Sequence, residues 1–188
     1  MSFDMRRRFL WTLFLIGWLV LAIVSQATTL ARLSFDELAQ KATAVARVRC
    51  LASSSVWRNG EIWTDTEFEV LEQNKGTSLR ILHIFLPGGK VAHIQSRVDG
   101  VPNFHAGEEM YLFLWNAPGK ETSVLGWAQG TFRVVRNQEN DLAQVTQDSA
   151  VMPVFDPATK QFRRGGVKNL PLAIFQLKLK RALEKENP

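Results

Sequence analysis

From Ala44 onward the chain alternates: Ala44, Ala46, Val48 and Cys50 fall opposite Val45, Arg47, Arg49 and Leu51. A two-residue period sends successive side chains to opposite faces of an extended backbone, so this stretch predicts a strand. Asn59-Gly60 then stands between Val56-Trp57-Arg58 and Glu61-Ile62-Trp63, and both turn residues tolerate positive φ, which predicts a tight hairpin. In its second arm Ile62, Thr64, Thr66, Phe68 and Val70 share a dry face, while Asp65, Glu67 and Glu69 share a wet one. After Asn74-Lys75-Gly76, the run Leu79 to Leu86 is apolar on both faces apart from Arg80 and His83. That pattern predicts a strand deep in a barrel or sandwich, ended by Pro87-Gly88-Gly89.

Further along, Met110 to Trp115 reads as a strand and Asn116 to Lys120 as a turn. Thr122 to Trp127 and Thr131 to Arg136 read as a strand pair around Gly130, Asn137 to Asp141 as a turn, and Leu142 to Thr146 as an edge strand. Helical patterns occur only at the ends of this region. Ser34 and Glu37 form a capping box with Leu33 stapled to Leu38, predicting a short helix to about Thr43. Pro153, Asp156-Pro157 and Arg163-Arg164-Gly165-Gly166 make 151–168 a loop or linker. Pro171 then opens a helix to about Lys185, with Leu172, Phe175, Leu179 and Leu183 on the face that packs on the barrel. Lys178, Lys180, Arg181 and Lys185 suit the negative end of that helix. Many short strands without alternating helices predict a mainly β fold over 28–150, an antiparallel barrel or sandwich flanked by a short N-terminal helix and a C-terminal helix over 169–188.

With 188 residues and 46% apolar composition, the chain has room for a single core. Its first residues differ in kind. Arg6, Arg7 and Arg8 precede an apolar run from Phe9 to Val24 and then Ser25-Gln26-Ala27, the build of a secretory signal over 1–27 with cleavage after Ala27. The competing reading is an uncleaved anchor over 9–24, but the run is short of the roughly 20 apolar residues a span needs and contains Thr12 and Gly17. The twin-arginine pattern is matched in part only, because Met5 stands where a hydroxyl is usual. Removing three arginines and Asp4 from 23 basic and 18 acidic side chains leaves 20 and 17, a net charge of +3, so no nucleic-acid partner is expected. The single cysteine, Cys50, excludes an intrachain disulfide and reads as a small buried residue of a strand.

Candidate chemistry is sparse. A catalytic zinc would require His83, His93 and His105, with Glu108, to converge, and their spacing matches no metal motif. His83 reads instead as a core or barrel-mouth histidine. His105 and Glu108 lie in Val98-Asp99-Gly100-Val101-Pro102-Asn103-Phe104-His105-Ala106-Gly107-Glu108-Glu109, whose turn dipeptides explain nearly every residue as the approach to a strand. Pro87-Gly88-Gly89-Lys90 lacks phosphate-loop spacing, and Ser53-Ser54-Ser55 lacks the glycines of a nucleophile elbow. Trp57 and Trp63 flank the hairpin and could pair across it, or offer a stacking platform for bases or sugars.

Three short segments, Ala44-Val45-Ala46-Arg47-Val48, Phe68 to Gly76 and Phe104 to Leu114, together spanning about Ala44 to Trp115, resemble the netrin-like and tissue-inhibitor-of-metalloproteinase-like branch of the OB-fold in its exported bacterial form. The resemblance implies an OB-like barrel, closed or partly open. It does not imply metalloprotease inhibition, because inhibitors of that branch use an N-terminal cysteine on the metal and disulfide staples that this chain lacks. The expectation is an exported, periplasmic or extracellular binding module of the bacterial envelope, without a cofactor. Its partner would be another envelope protein or a surface ligand, with membrane contact only through the N-terminal segment if that is retained. Ligand contacts are expected at Trp57, Trp63, His105 and Glu108. The alternatives are a metal-dependent hydrolase using His83, His93 and His105, and a barrel that binds oligonucleotides or sugars.

Overall fold

A computed structural model of the chain describes residues 30–77, 79–116, 119, 121–136 and 142–185. The expected export leader over 1–27 and the turn over 137–141 lie outside these residues, as does part of the turn expected over 116–120.

Ser34 caps helix α1 (Phe35–Lys41) as the capping box predicts: its Oγ accepts from the Glu37 N–H, and the Glu37 carboxylate accepts from the Ser34 N–H at 2.7 Å. Strands β1 (Ala44–Arg58) and β2 (Glu61–Lys75) then form one long hairpin around Asn59 and Gly60, whose φ values of 52° and 82° are those the turn requires. Strands β3 (Ile81–Pro87), β4 (Gly89–Val91), β5 (Ile94–Ser96), β6 (Glu109–Trp115), β7 (Ser123–Val124), β8 (Thr131–Arg136) and β9 (Ala143–Gln147) follow, then β10 (Val154–Asp156), β11 (Gln161–Arg163), β12 (Leu170–Pro171) and helix α2 (Leu172–Glu184). The main sheet runs β12-β9-β8-β6-β1-β2-β3 with β7 paired to β6, and each of its pairings is antiparallel.

β6 and the first half of β1, Ala44 to Cys50, lie at the centre and contribute buried residues to both faces. Val45, Tyr111 and Phe113 face the helices, joining Leu38, Phe132, Phe175 and Leu179 in one core. Ala46, Val48, Cys50, Met110, Leu112 and Leu114 face the other way and meet Phe68, Leu82, Ile84, Leu86 and Phe104 in a second. That second core exists because the sheet curls. Pairing of β1 with β2 shifts register at Val45/Ala46, Arg47/Val48 and Cys50/Ala52, and such irregularities bend and twist a strand. The curl brings β3 against β7. Among the described residues no ladder joins β3 to β7 or β12, so the sheet is open rather than a closed barrel.

Several local expectations need correcting. β3 is an edge strand, not a deep one: Ile81 is 43% exposed and His83 points outward, because only β2 pairs with it. The strand expected over 122–127 is reduced to β7, which pairs with β6 rather than with β8, and a 3₁₀ turn over Trp127–Gly130 takes up the rest. The region expected as a linker, 151–168, contains the β10–β11 hairpin, with Phe155 and Phe162 edge to face at 5.5 Å. Pro171 precedes α2 as its N-cap instead of standing in the first turn.

The helical side of the sheet is an aromatic cluster. Phe35 meets Phe113, Phe132 and Phe175 edge to face at 5.6–5.7 Å, and Tyr111 meets Phe175 at 4.8 Å. Phe175 is fully buried at its centre. Phe175→Ala is expected to destabilise the fold by about 3–5 kcal/mol, the range for emptying a buried phenylalanine site, read as a lower urea midpoint at unchanged slope.

Candidate functional site

The inner wall of the curl changes character along β1 and β2. Near β6 it is apolar, with Cys50 opposite Phe68; toward the hairpin tip it becomes a ladder of hydroxyls, Ser53 opposite Thr66 and Ser55 opposite Thr64. Ser53 Oγ and Thr66 Oγ1 are 3.1 Å apart, and Ser55 Oγ and Thr64 Oγ1 are 3.0 Å apart. Thr64 Oγ1 donates to the Gly88 carbonyl at 2.7 Å, and Ser55 Oγ accepts from the Lys90 N–H at 3.2 Å. Gly89, at φ 130°, passes so close that a Cβ there would lie 2.2 Å from Ser55 Oγ and 2.3 Å from Thr64 Oγ1. Only glycine lets the main chain lie on this ladder.

Above the ladder a cavity of 600 Å³ opens, with the chain from Gln95 to His105 as its far wall. That wall is anchored rather than loose. Phe104 is buried and stands edge to face with Phe68 at 5.1 Å, and the Gly100 carbonyl accepts from the Ala128 N–H at 3.0 Å. Arg133 holds its base. From the centre of β8 it forks onto Asp148, Nε to Oδ1 at 2.7 Å and Nη2 to Oδ2 at 2.9 Å. It also donates to Glu108 Oε2 at 2.6 Å and to the Asn103 carbonyl at 2.7 Å, and it lies over the Phe104 ring. Glu108 in turn accepts from the His105 N–H at 2.9 Å, with His105 Nδ1 3.2 Å from its other oxygen.

These contacts set the ionisation of the cluster. For Glu108, burial pushes the carboxyl up, but the His105 N–H and the Arg133 charge outweigh it, and the net direction is down. For Asp148, more deeply placed, burial prevails over the pull of Arg133 and the net direction is up. Burial also pushes the Cys50 thiol up, as suits an inert residue beneath Glu108.

The anticipated site residues separate. His105 and Glu108 come together at the two ends of a four-residue turn, and His105 lines the cavity. Trp57 and Trp63 do not pair across the hairpin: Trp57 lies opposite Ile62 and Trp63 opposite Val56, on opposite faces. Trp57 shares the face of the hydroxyl ladder and is 52% exposed. Trp63 faces outward beneath Arg58, which also lies over Phe85 at 5.4 Å and pairs with Glu121 at 2.6 Å. The three histidines occupy three elements. His83 on β3 meets Asp65 at 3.3 Å, His93 sits in the turn between β4 and β5, and His105 faces Glu108. Among the described residues no group of three or more His, Cys, Asp or Glu is placed to hold a metal ion, so the three imidazoles do not form the centre considered for a hydrolase.

Sequence reasoning missed the hydroxyl ladder and the Arg133 fork. A register counted back from Asn59-Gly60 pairs Ser55 with Thr64 and Ser53 with Thr66, so the first signal was present. A lone arginine in Thr131-Phe132-Arg133-Val134-Val135 was the second. Comparison of the chain with protein-family models, curated proteins and solved structures finds no match.

Arg133→Ala leaves Glu108 and Asp148 facing each other without their cation. The expected loss at neutral pH is about 2–4 kcal/mol, somewhat below the range for breaking a fully buried pair because Arg133 keeps some solvent contact. Glu108 has a lowered folded value, so its contribution is present above its ordinary value of about 4.3 and is lost as pH falls through the folded one. Glu108→Gln is therefore expected to flatten the fall of stability below about pH 4. Urea midpoints collected at intervals from neutral to acid pH measure both effects.

Proposed function

We propose that the chain is an exported, non-enzymatic binding module of the bacterial cell envelope, and that the cavity over the hydroxyl ladder holds a polyhydroxylated ligand of the carbohydrate class. The observation that carries this reading is the ladder itself. Ser53, Ser55, Thr64 and Thr66 line one wall with paired hydroxyls, the Ser55–Thr64 rung held under the Gly88-Gly89-Lys90 main chain and the Ser53 rung facing the opening, and Gln95, Asp99 and Asn103 offer amide and carboxylate groups on the other. A hydroxyl can donate and accept at once, so a hydroxyl-lined wall matches a sugar better than it matches an apolar or strongly charged ligand. Trp57, exposed on the same face, extends the wall with a ring on which a sugar could stack.

The partners of the hydroxyls support the binding character. Ser55 Oγ is engaged by Thr64 and the Lys90 N–H, and Ser53 Oγ by Thr66, whereas a nucleophilic serine needs a general base within hydrogen-bond reach. The one histidine lining the cavity, His105, is directed to Glu108. The export reading rests on the basic, apolar and small-residue order of residues 1–27. In the described residues no helix is long and apolar enough to cross a membrane.

Calorimetric titration with chitotetraose, a soluble oligosaccharide rich in hydroxyl and amide groups, tests the reading. Saturable binding is expected, weakened about 3–10-fold by Ser53→Ala and by Asn103→Ala, the loss of roughly one hydrogen bond each. Both residues are exposed, so thermal midpoints should stay close to wild type. Titrations with this and other neutral oligosaccharides that give no saturable heat, or binding indifferent to both substitutions, would remove the proposal.

A further inference from the structure

A second groove, of 470 Å³, lies on the other side of the turn over Asp148–Val151, between the start of α1, the β10–β11 hairpin and α2. Its floor is polar and already satisfied. Gln129 Oε1 accepts from the Leu33 N–H and its Nε2 donates to the Ala31 carbonyl. Gln147 Nε2 donates to the Gln129 carbonyl and its Oε1 accepts from the Val167 N–H. Gly166, at φ 137°, crosses this floor so closely that a Cβ would lie 2.3 Å from Gln147 Oε1. The glycine therefore holds the segment after β11 down against the groove, and the side chains on either side of it form the rim.

That rim is cationic. Arg32, Arg163, Lys168 and Lys178 all line the groove, and no carboxylate does. Arg32 has a partner in Asp156 at a loose 3.7 Å, and Lys178 lies over the Phe35 ring at 4.8 Å. Among the described residues Arg163, Lys168 and Lys178 make no ion pair. Several arginines elsewhere stand against carboxylates, as in Arg47 with Glu109, Arg49 with Glu69, Arg58 with Glu121 and Arg133 with Asp148. Arg163, Lys168 and Lys178, together with an Arg32 only loosely held by Asp156, concentrate positive charge on one rim, and a dianionic tetrahedral group would be drawn to it. Guanidinium groups grip two oxygens of such a group and ammonium groups the remaining charge, with the buried Ser149 beside them as a hydroxyl donor.

We propose that this groove is a binding site for a phosphomonoester, carried either by a soluble molecule or by a lipid headgroup. The site is separate from the carbohydrate cavity, and either assignment can fail without the other. It takes up Arg163, Gly165 and Gly166 of a stretch that the sequence marks only as a loop, as its rim and its close-passing glycine.

The test uses the full chain, titrated calorimetrically with inorganic phosphate at constant ionic strength balanced with chloride. Saturable binding to one site is expected, at least tenfold weaker in the double variant Arg163→Gln/Lys168→Gln and largely kept in the charge-preserving Arg163→Lys/Lys168→Arg. All the altered side chains are exposed, and the single variant Lys168→Gln, expected to weaken binding by a smaller factor, stands in if the double variant melts early. Cosedimentation with phosphatidylcholine vesicles containing phosphatidic acid, but not with phosphatidylcholine alone, would place the group on a lipid. Phosphate binding without cosedimentation would place it on a soluble molecule. Absence of saturable phosphate binding, equal affinity in the glutamine variants, or cosedimentation that these variants leave unchanged overturns the proposal.

Discussion

The antiparallel pairing of β1 with β6 is the constraint on which the other layers depend. Val45 lies opposite Phe113, Ala46 opposite Leu112, Arg47 opposite Tyr111 and Val48 opposite Met110. Because the paired parts of both strands bury residues on both faces, this single register fills two cores at once, a ring-rich one under the helices and a more aliphatic one inside the curl. A slip by one residue would send Tyr111 and Phe113 into the curl and Leu112 toward the helices, spoiling both packings together. Arg47 and Glu109 pair diagonally across the same two strands, a charge match the observed alignment accommodates.

Once that register is set, the bulges of β1 decide where the cavity forms. They turn the outer part of the β1–β2 hairpin over the apolar wall, and the hydroxyls begin where apolar filling ends. The far wall is secured differently, by one buried ring and one guanidinium. Phe104 enters the core while Arg133 collects Asp148, Glu108 and the Asn103 carbonyl around it. A loop held in this way is a preformed surface, and a preformed surface loses less freedom when a ligand arrives.

Much of this was legible in the residues. The capping box at Ser34, the Asn-Gly hairpin, the wet and dry faces of β2 and the amphipathic helix with Phe175 and Leu179 inward all follow from local period and turn chemistry. The edge position of β3 was hidden because its apolar run suits a buried strand equally well, and neighbours in a sheet are a nonlocal fact. The 3₁₀ turn at Trp127 stands where a strand was expected, and a Cβ on Gly130 at its end would lie 2.2 Å from the Leu125 carbonyl oxygen, a close approach that no pattern of polarity records. The separation of Trp57 from Trp63 was within reach: with Arg58 opposite Glu61, each step back along β1 is one step forward along β2, which puts Ile62 and not Trp63 across from Trp57. The cavities were out of reach, since they are assembled from segments far apart in sequence.

Tyr111 carries a consequence of its own. It is the chain's sole tyrosine, fully buried between β6 and α2, where its hydroxyl accepts from Gln176 Nε2 at 3.2 Å and burial pushes its ionisation up. The phenolate spectrum is consequently a built-in optical gauge of the packing around Tyr111. While this packing holds the phenol is shielded from alkali, and its ultraviolet absorbance change in a base titration marks the point at which Tyr111 becomes exposed, with no label attached to the molecule.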